Sequence, residues 1–245
     1  MDMDIVVDKK SLDLADILSK KLDDHKQKNL FRVREVTLPD NYIDFSSNDY
    51  LGLSKHPEII KVIRSFSGIY GAQASSYVSG YFSEHKSCED AFAKAFGFDG
   101  ALLFGNGFMA NVGVIKALAD KNTVIFQDKK NHASLIDGAL ISDGELVRYN
   151  HLDSKSLENK IKKYPNKSGI IASDVVFSMD GDIAEVKDLV AIGSKHNYAM
   201  IFDEAHSAGV MGKNGLGVVS NLIPDLISGL AGNIRENIRE NIIVI

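Results

Sequence analysis

From about residue 99 the sequence alternates short apolar runs with longer amphipathic stretches, which restricts the fold more than any other feature. The runs are Ala101–Phe104, Thr123–Phe126, Leu146–Tyr149, Gly169–Val176 and Ala199–Phe202. Each is shorter than an ordinary helix and reads as a buried strand. Among them lie Ser154–Lys163 (SKSLENKIKK) and Val186–His196 (VKDLVAIGSKH), with apolar residues near helical spacing. Strands alternating with helices predict an α/β fold, a mostly parallel sheet flanked by helices and joined by right-handed crossovers. Upstream, Glu84–Phe96 (EHKSCEDAFAKAF) predicts an amphipathic helix closed by Gly97, and Ser11–Lys28 a charged helix leading into a loop.

The bulk properties exclude several classes. A chain of 245 residues, 44% hydrophobic and 25% charged, has an ordinary globular composition. Its net charge of −5 offers no nucleic-acid surface. No apolar run approaches the ~20 residues of a membrane span. The start carries Asp2, Asp4 and Asp8, unlike the basic opening of a signal peptide. The lone cysteine, Cys88, cannot form an internal disulfide, which fits a reducing cytoplasm. It falls on a predicted helix and reads as a buried structural thiol rather than a nucleophile. No metal site is expected.

Four segments carry the chemistry. The run Ala199–Phe202 ends in Asp203, with His206 three residues on and Gly209 and Gly212 beyond. Ligands of an open parallel sheet sit beyond the carboxyl ends of the strands, where an acid with a nearby histidine can hold a cationic heterocycle. The bland alternative is that Asp203 caps the next helix. Phe104–Asn111 (FGNGFMAN) reads as a strand end running into a helix, and Gly105 and Gly107 would let backbone N–H groups approach a phosphate. His132, in NHASLID, could lie flat on an aromatic ring or simply cap a helix. Phe177–Asp182 (FSMDGD) offers the Ser178 hydroxyl, and its Asp180-Gly181 pair suits a tight turn.

These segments in this order, together with FSSNDYLGL at Phe45–Leu53, His56-Pro57, VSGY at Val78–Tyr81 and His85, resemble the α-oxoamine synthases over roughly residues 41–221. These are fold-type I pyridoxal-phosphate (PLP) enzymes that condense an amino acid with an acyl thioester and release carbon dioxide. The resemblance implies the PLP-binding large domain of that fold. It implies that Gly107 and Phe108 contact the cofactor phosphate, that His132 stacks on its ring and that Asp203 pairs with the ring nitrogen. Ser178 and His206 would flank the phenolic oxygen. Asn48 would sit near the substrate carboxylate, and Arg32 is a further substrate candidate. The SSNDYLGL wording is closest to the biotin-pathway branch, which joins alanine to a pimeloyl thioester of CoA or a carrier protein. 2-Amino-3-ketobutyrate CoA ligase, 5-aminolevulinate synthase and serine palmitoyltransferase share the FSMDG-like and D-E-x-H-like segments. A homodimer is implied.

Two departures stand out. Gly71–Ser76 (GAQASS) is poorer in glycine than the matching family segment. The family also carries a Schiff-base lysine shortly after a strand matching Asp225–Ile227, whereas no lysine follows Lys213 here. The expected organisation is thus an N-terminal helical segment at 1–40, a truncated PLP-binding domain at 41–232 and a tail at 233–245, without a small C-terminal domain. The tail opens NIRENIRENI, which could extend a helix or record an accident at the end of an interrupted coding sequence. The expectation that follows is a catalytically inactive relative, either a non-functional remnant or a lysine-free partner subunit.

Overall fold

Every second residue of a strand faces the same way, so a strand buried on both sides must be apolar throughout. The predicted runs satisfy this condition, and the computed structural model turns four of them into strands. The described residues are 13–36, 43–222 and 241–245. They fall into two units, Met1–Asn48 and Asp49–Ile245.

In the first unit, α1 (Leu14–Gln27) is capped by Asp13, whose carboxylate accepts the Ala15 N–H at 2.9 Å. An exposed Lys28–Asp24 pair at 2.8 Å closes its last turn. No residue of this helix is buried.

The second unit opens with α2 (Pro57–Ser65) and α3 (Ser83–Phe96). Gly97 ends α3 at φ 76°, the left-handed backbone that glycine adopts without strain. Cys88 lies on α3 and is half-buried. After α4 (Gly107–Leu118) come β1 (Thr123–Asp128), α5 (Ala133–Ile141), β2 (Glu145–Tyr149), α6 (Ser154–Ile161), β3 (Ser168–Asp174), α7 (Val186–His196) and β4 (Ala199–Asp203). All neighbouring strands run parallel, in the order β2-β1-β3-β4-β5, where β5 is Ile242–Val244.

Alternation sorts the core onto two faces. Val124, Phe126, Ile171, Met200 and Phe202 pack with Leu157 and Ile161 of α6 and Leu189 and Val190 of α7. Ile125, Ile170, Ala172 and Ile201 pack with Ile115 of α4 and Leu135 and Ala139 of α5. The result is the three-layer α/β arrangement expected from the sequence. The order of strands reverses between β1 and β3, which opens a crevice at the carboxyl edge.

One expectation fails. Ala101–Phe104 is not a strand. Leu102, Leu103 and Phe104 are exposed, and the Leu103 N–H is taken by the Glu89 carboxylate at 2.9 Å rather than by a neighbouring strand. The apolar end of the chain, beyond the repeat, adds a strand that the sequence reading did not anticipate. Ile242–Val244 pairs with Met200–Phe202, and the Glu204 N–H continues the ladder onto the Ile245 carbonyl at 2.7 Å. A run of β-branched residues suits a pleated surface, with Ile242 on one core face and Ile243 on the other. The segments 233–240 and Asp225–Ile227 lie outside the described residues. No helix among the described residues is long and apolar enough to cross a membrane.

Candidate functional site

The carboxyl ends of β1, β3 and β4 gather the polar residues that the core rejects. Asp174 ends β3 and Asp203 ends β4, and the two are register partners. Both are buried. Each needs donors, because an unpaired buried carboxylate is costly. Asp203 Oδ2 accepts from Asn111 Nδ2 at 2.7 Å and Oδ1 accepts the Ala205 N–H at 2.9 Å. Asp174 Oδ2 accepts the His132 N–H at 2.7 Å. Burial is the main cause that pushes the Asp174 carboxyl up to about 7, with Asp203 and Asp128 adding repulsion.

His132 is the N-cap of α5 and is solvent-exposed. Its Nδ1 meets the Ser134 hydroxyl at 2.7 Å and the Ser134 N–H at 3.3 Å. The capping role and the exposed ring therefore coexist in one residue. Phe108 approaches it edge-on, with centroids 6.3 Å apart. Phe108 and Gly107 form the first turn of α4, where Asn106 caps by accepting the Met109 N–H at 2.8 Å. A Cβ at Gly107 would meet nothing within 4 Å, so this turn is open to an anion.

Ser178 sits exposed in the turn after β3. Gly181 completes that turn at φ 73°, its N–H bonded to the Phe177 carbonyl at 2.8 Å, as the Asp180-Gly181 pair suggested. Lys130 pairs with Asp180 at 2.8 Å, and His151 bridges Asp182 and the buried Asp128 at 2.9 Å each. Burial of the ring opposes its charge, but the hydrogen bonds to Asp182 and Asp128 outweigh this and raise His151 above the usual histidine value.

His206 lies three residues past Asp203, half-buried, with its Nδ1 2.6 Å from the Tyr50 hydroxyl. The intervening Glu204 is buried and raised, chiefly by desolvation. Its Oε1 accepts the N–H groups of Val218 and Val219 at 2.7 Å each. Gly217, at φ 76°, packs against that carboxylate, where a Cβ would collide with it.

Gly107, Phe108, His132, Ser178, Asp203 and His206 thus all lie in the second unit, on α4, on the connections that follow β1, β3 and β4, or at the end of β4 itself. Arg32 lies in exposed irregular chain after α1 and Asn48 in an exposed bend. Both belong to the first unit, and the site is built from second-unit residues. Asn111, Ser134, Asp174, His151 and Tyr50 carry the network without having been singled out from the sequence. Asp174 lay inside the predicted run Gly169–Val176, and only the strand's earlier end at Asp174 sets it beside Asp203. Asn111, Ser134 and Tyr50 each lie inside a quoted motif.

Comparison with known proteins supplies a family pattern and relatives. The pattern described as Aminotransferase class I and II matches residues 40–235. The 8-amino-7-oxononanoate synthase of Marinomonas sp. is 41% identical over 212 residues, covering 81% of this chain and 52% of that protein. The chain spans about half the length of the curated relatives it matches. A serine palmitoyltransferase from S. paucimobilis, solved with PLP and myriocin bound, superposes with a TM-score of 0.70 at 28% identity. That match covers 84% of this chain and 56% of the other. The 8-amino-7-oxononanoate synthase of Francisella tularensis superposes with a TM-score of 0.59 at 34% identity, covering 74% and 50%.

Proposed function

The chain belongs to the aminotransferase class I and II family, and on that basis we propose that its second unit is the cofactor half of a PLP-dependent acyltransferase of the 8-amino-7-oxononanoate synthase type. The reaction of enzymes of that type is the decarboxylative condensation of alanine with a pimeloyl thioester, in biotin biosynthesis. The protein works in the cytoplasm, with residues 41–232 as the PLP-binding domain and a homodimer as the working form. Supporting this are the synthases about 40% identical over most of the chain.

The observation that carries the reading is the Asp203 carboxylate, buried at the end of β4 and fixed by Asn111 and Ala205. The donor set fits the group. A carboxylate held there suits a protonated pyridine nitrogen, the exposed His132 ring offers a flat face, and the open first turn of α4 at Gly107 and Phe108 suits a phosphate. When bound, PLP supplies an electron sink for charge developing at the amino-acid α-carbon. Asp203 holds the proton on the ring nitrogen. His132 covers the ring and orients it. Ser178 and His206 offer hydrogen bonds to its phenolic oxygen, and the Tyr50 hydroxyl steadies His206 through Nδ1. Asn48 and Arg32 remain candidates for the substrate carboxylate.

The test is an absorbance titration of the purified chain with PLP, before and after borohydride. A saturable spectral change that weakens about tenfold or more in Asp203→Ala is expected, the scale of a lost charge-assisted hydrogen bond. No saturable change, or one indifferent to Asp203→Ala, overturns the proposal. Covalent fixation by borohydride would identify which lysine of this chain, if any, bonds the cofactor.

A further inference from the structure

Asn111 is 1% exposed and Ser134 is fully buried, and together they bridge Asp203 to His132. The amide nitrogen of Asn111 donates one hydrogen to Asp203 Oδ2 at 2.7 Å and the other to Ser134 Oγ at 2.9 Å. Its Oδ1 is buried with no partner among the described residues. This orientation is forced: the flipped amide would set a carbonyl oxygen against the Asp203 carboxylate. With its oxygen accepting from Asn111, the Ser134 hydroxyl can give its proton to the hydrogen bond with His132 Nδ1 at 2.7 Å. The Ser134 N–H aims at the same nitrogen. Two donors converge on Nδ1, so that atom must carry a lone pair and the ring proton must sit on Nε2.

We propose that Asn111 and Ser134 are positioning residues that relay the orientation of the Asp203 carboxylate to His132, fixing its Nε2–H tautomer and the plane of its ring. The chain Asp203–Asn111–Ser134–His132 ties the group that would face the ring nitrogen to the one that would cover the ring. The two therefore arrive at the cofactor pre-aligned. The orphaned Asn111 Oδ1 is the local cost of that alignment. The inference rests on the proposed PLP reading for its purpose but not for its geometry.

The deciding experiment needs no bound cofactor. Nitrogen-15 histidine correlation spectra of the full chain are recorded, with His132 identified by its loss in His132→Gln. The expected signature is a pyridine-type Nδ1 with a pyrrole-type Nε2. In Ser134→Ala that signature gives way to a mixture of tautomers, and Ser134→Thr, which keeps the hydroxyl, restores it. A merely structural serine would not move the tautomer. A pyrrole-type Nδ1, an averaged pair in the unaltered chain, or an unchanged signature in Ser134→Ala overturns the proposal. Asn111→Ala is expected to mix the tautomers too and to weaken PLP in the absorbance titration by about tenfold, the scale of one lost hydrogen bond to a charged group. If PLP binds but the tautomer is wrong, only the relay fails. If the tautomer is right and PLP leaves the spectrum unchanged, the proposed function fails and the relay geometry stands.

Discussion

His132 and His151 each lie in the connection after a strand, β1 and β2 respectively, yet their surroundings ask for opposite things. His132 receives two donors at Nδ1, from the hydroxyl and the N–H of Ser134. His151 faces carboxylates with both ring nitrogens, Asp128 on one side and Asp182 on the other, while Phe177 packs edge-on at 4.6 Å. Only a doubly protonated imidazole can donate to both. The acids differ in the same sense. Asp174, beside His132, is raised by burial. Asp182 is lowered, first by its hydrogen bond to His151 and further by Lys130. The crevice edge thus has a corner that prefers less charge and a corner held together by charge. The first lies among the residues proposed to meet the cofactor, and the second clamps the turn that carries Ser178.

The sharpest way to break this contrast is to neutralise Asp174. Its folded value lies above its ordinary one, so its ionisation costs stability progressively as pH rises from about 4 through 7. Asp174→Asn, which keeps an oxygen for the His132 N–H, should match the unaltered chain at pH 4. At pH 8 it should be more stable, on the order of a few kcal/mol, since each tenfold change in proton affinity is worth about 1.4 kcal/mol. Urea unfolding at both pH values measures this, and a stability loss at pH 8 would refute the account.

The second corner should respond in reverse. His151→Leu removes one donor from the buried Asp128 and should cost about 2 kcal/mol at pH 6. His151 is raised, so its contribution is complete below the ordinary histidine value and fades as pH climbs through the folded one. The gap between His151→Leu and the unaltered chain should therefore narrow by pH 9, and a constant gap in urea melts would contradict the charged bridge. Smaller again, Ser134→Ala should cost ~1 kcal/mol by leaving the Asn111 amide short of one partner. Thermal melts of Ser134→Ala and Ser134→Thr would show it, with threonine recovering most of the loss. The smallest change is local. Asp182→Asn should leave global stability nearly intact but speed hydrogen exchange at Phe177 and Gly181, whose N–H groups close the turn. Equal exchange rates would mean that the clamp does not hold the turn.

The parallel sheet was legible because its strands are buried on both sides. Thr123–Phe126 and Ala199–Phe202 are continuous apolar runs, and nothing but a doubly covered strand needs that pattern. The same logic misled at Ala101–Phe104, an equally apolar run that lies exposed with its Leu103 N–H given to Glu89. Apolarity marks a surface to be covered, not what covers it. The charged NIRE repeat drew attention away from Ile242–Val244, whose branched residues are the ordinary signature of a strand. Among site residues, Asp203 and His132 were legible as chemistry standing at strand ends. Asn111 and Ser134 were not, because a helix-borne amide and a serine acquire meaning only from what stands opposite them, 92 residues away in the case of Asn111 and Asp203. His151 needed three segments at once: β1, β2 and the turn after β3.

The grip of Glu204 on Val218 and Val219 turns the stretch between into a ring, closed by a side chain rather than a covalent bond. A ring has a circumference. His206 rides on that ring, and Gly217 sits where the closure leaves no room for even a methyl group. Its length is therefore as much a part of the site as its residues are. One residue added within it would either lift Gly217 from the carboxylate or swing His206 away from Tyr50, whereas the exposed chain around Leu102 could take the same addition at little cost.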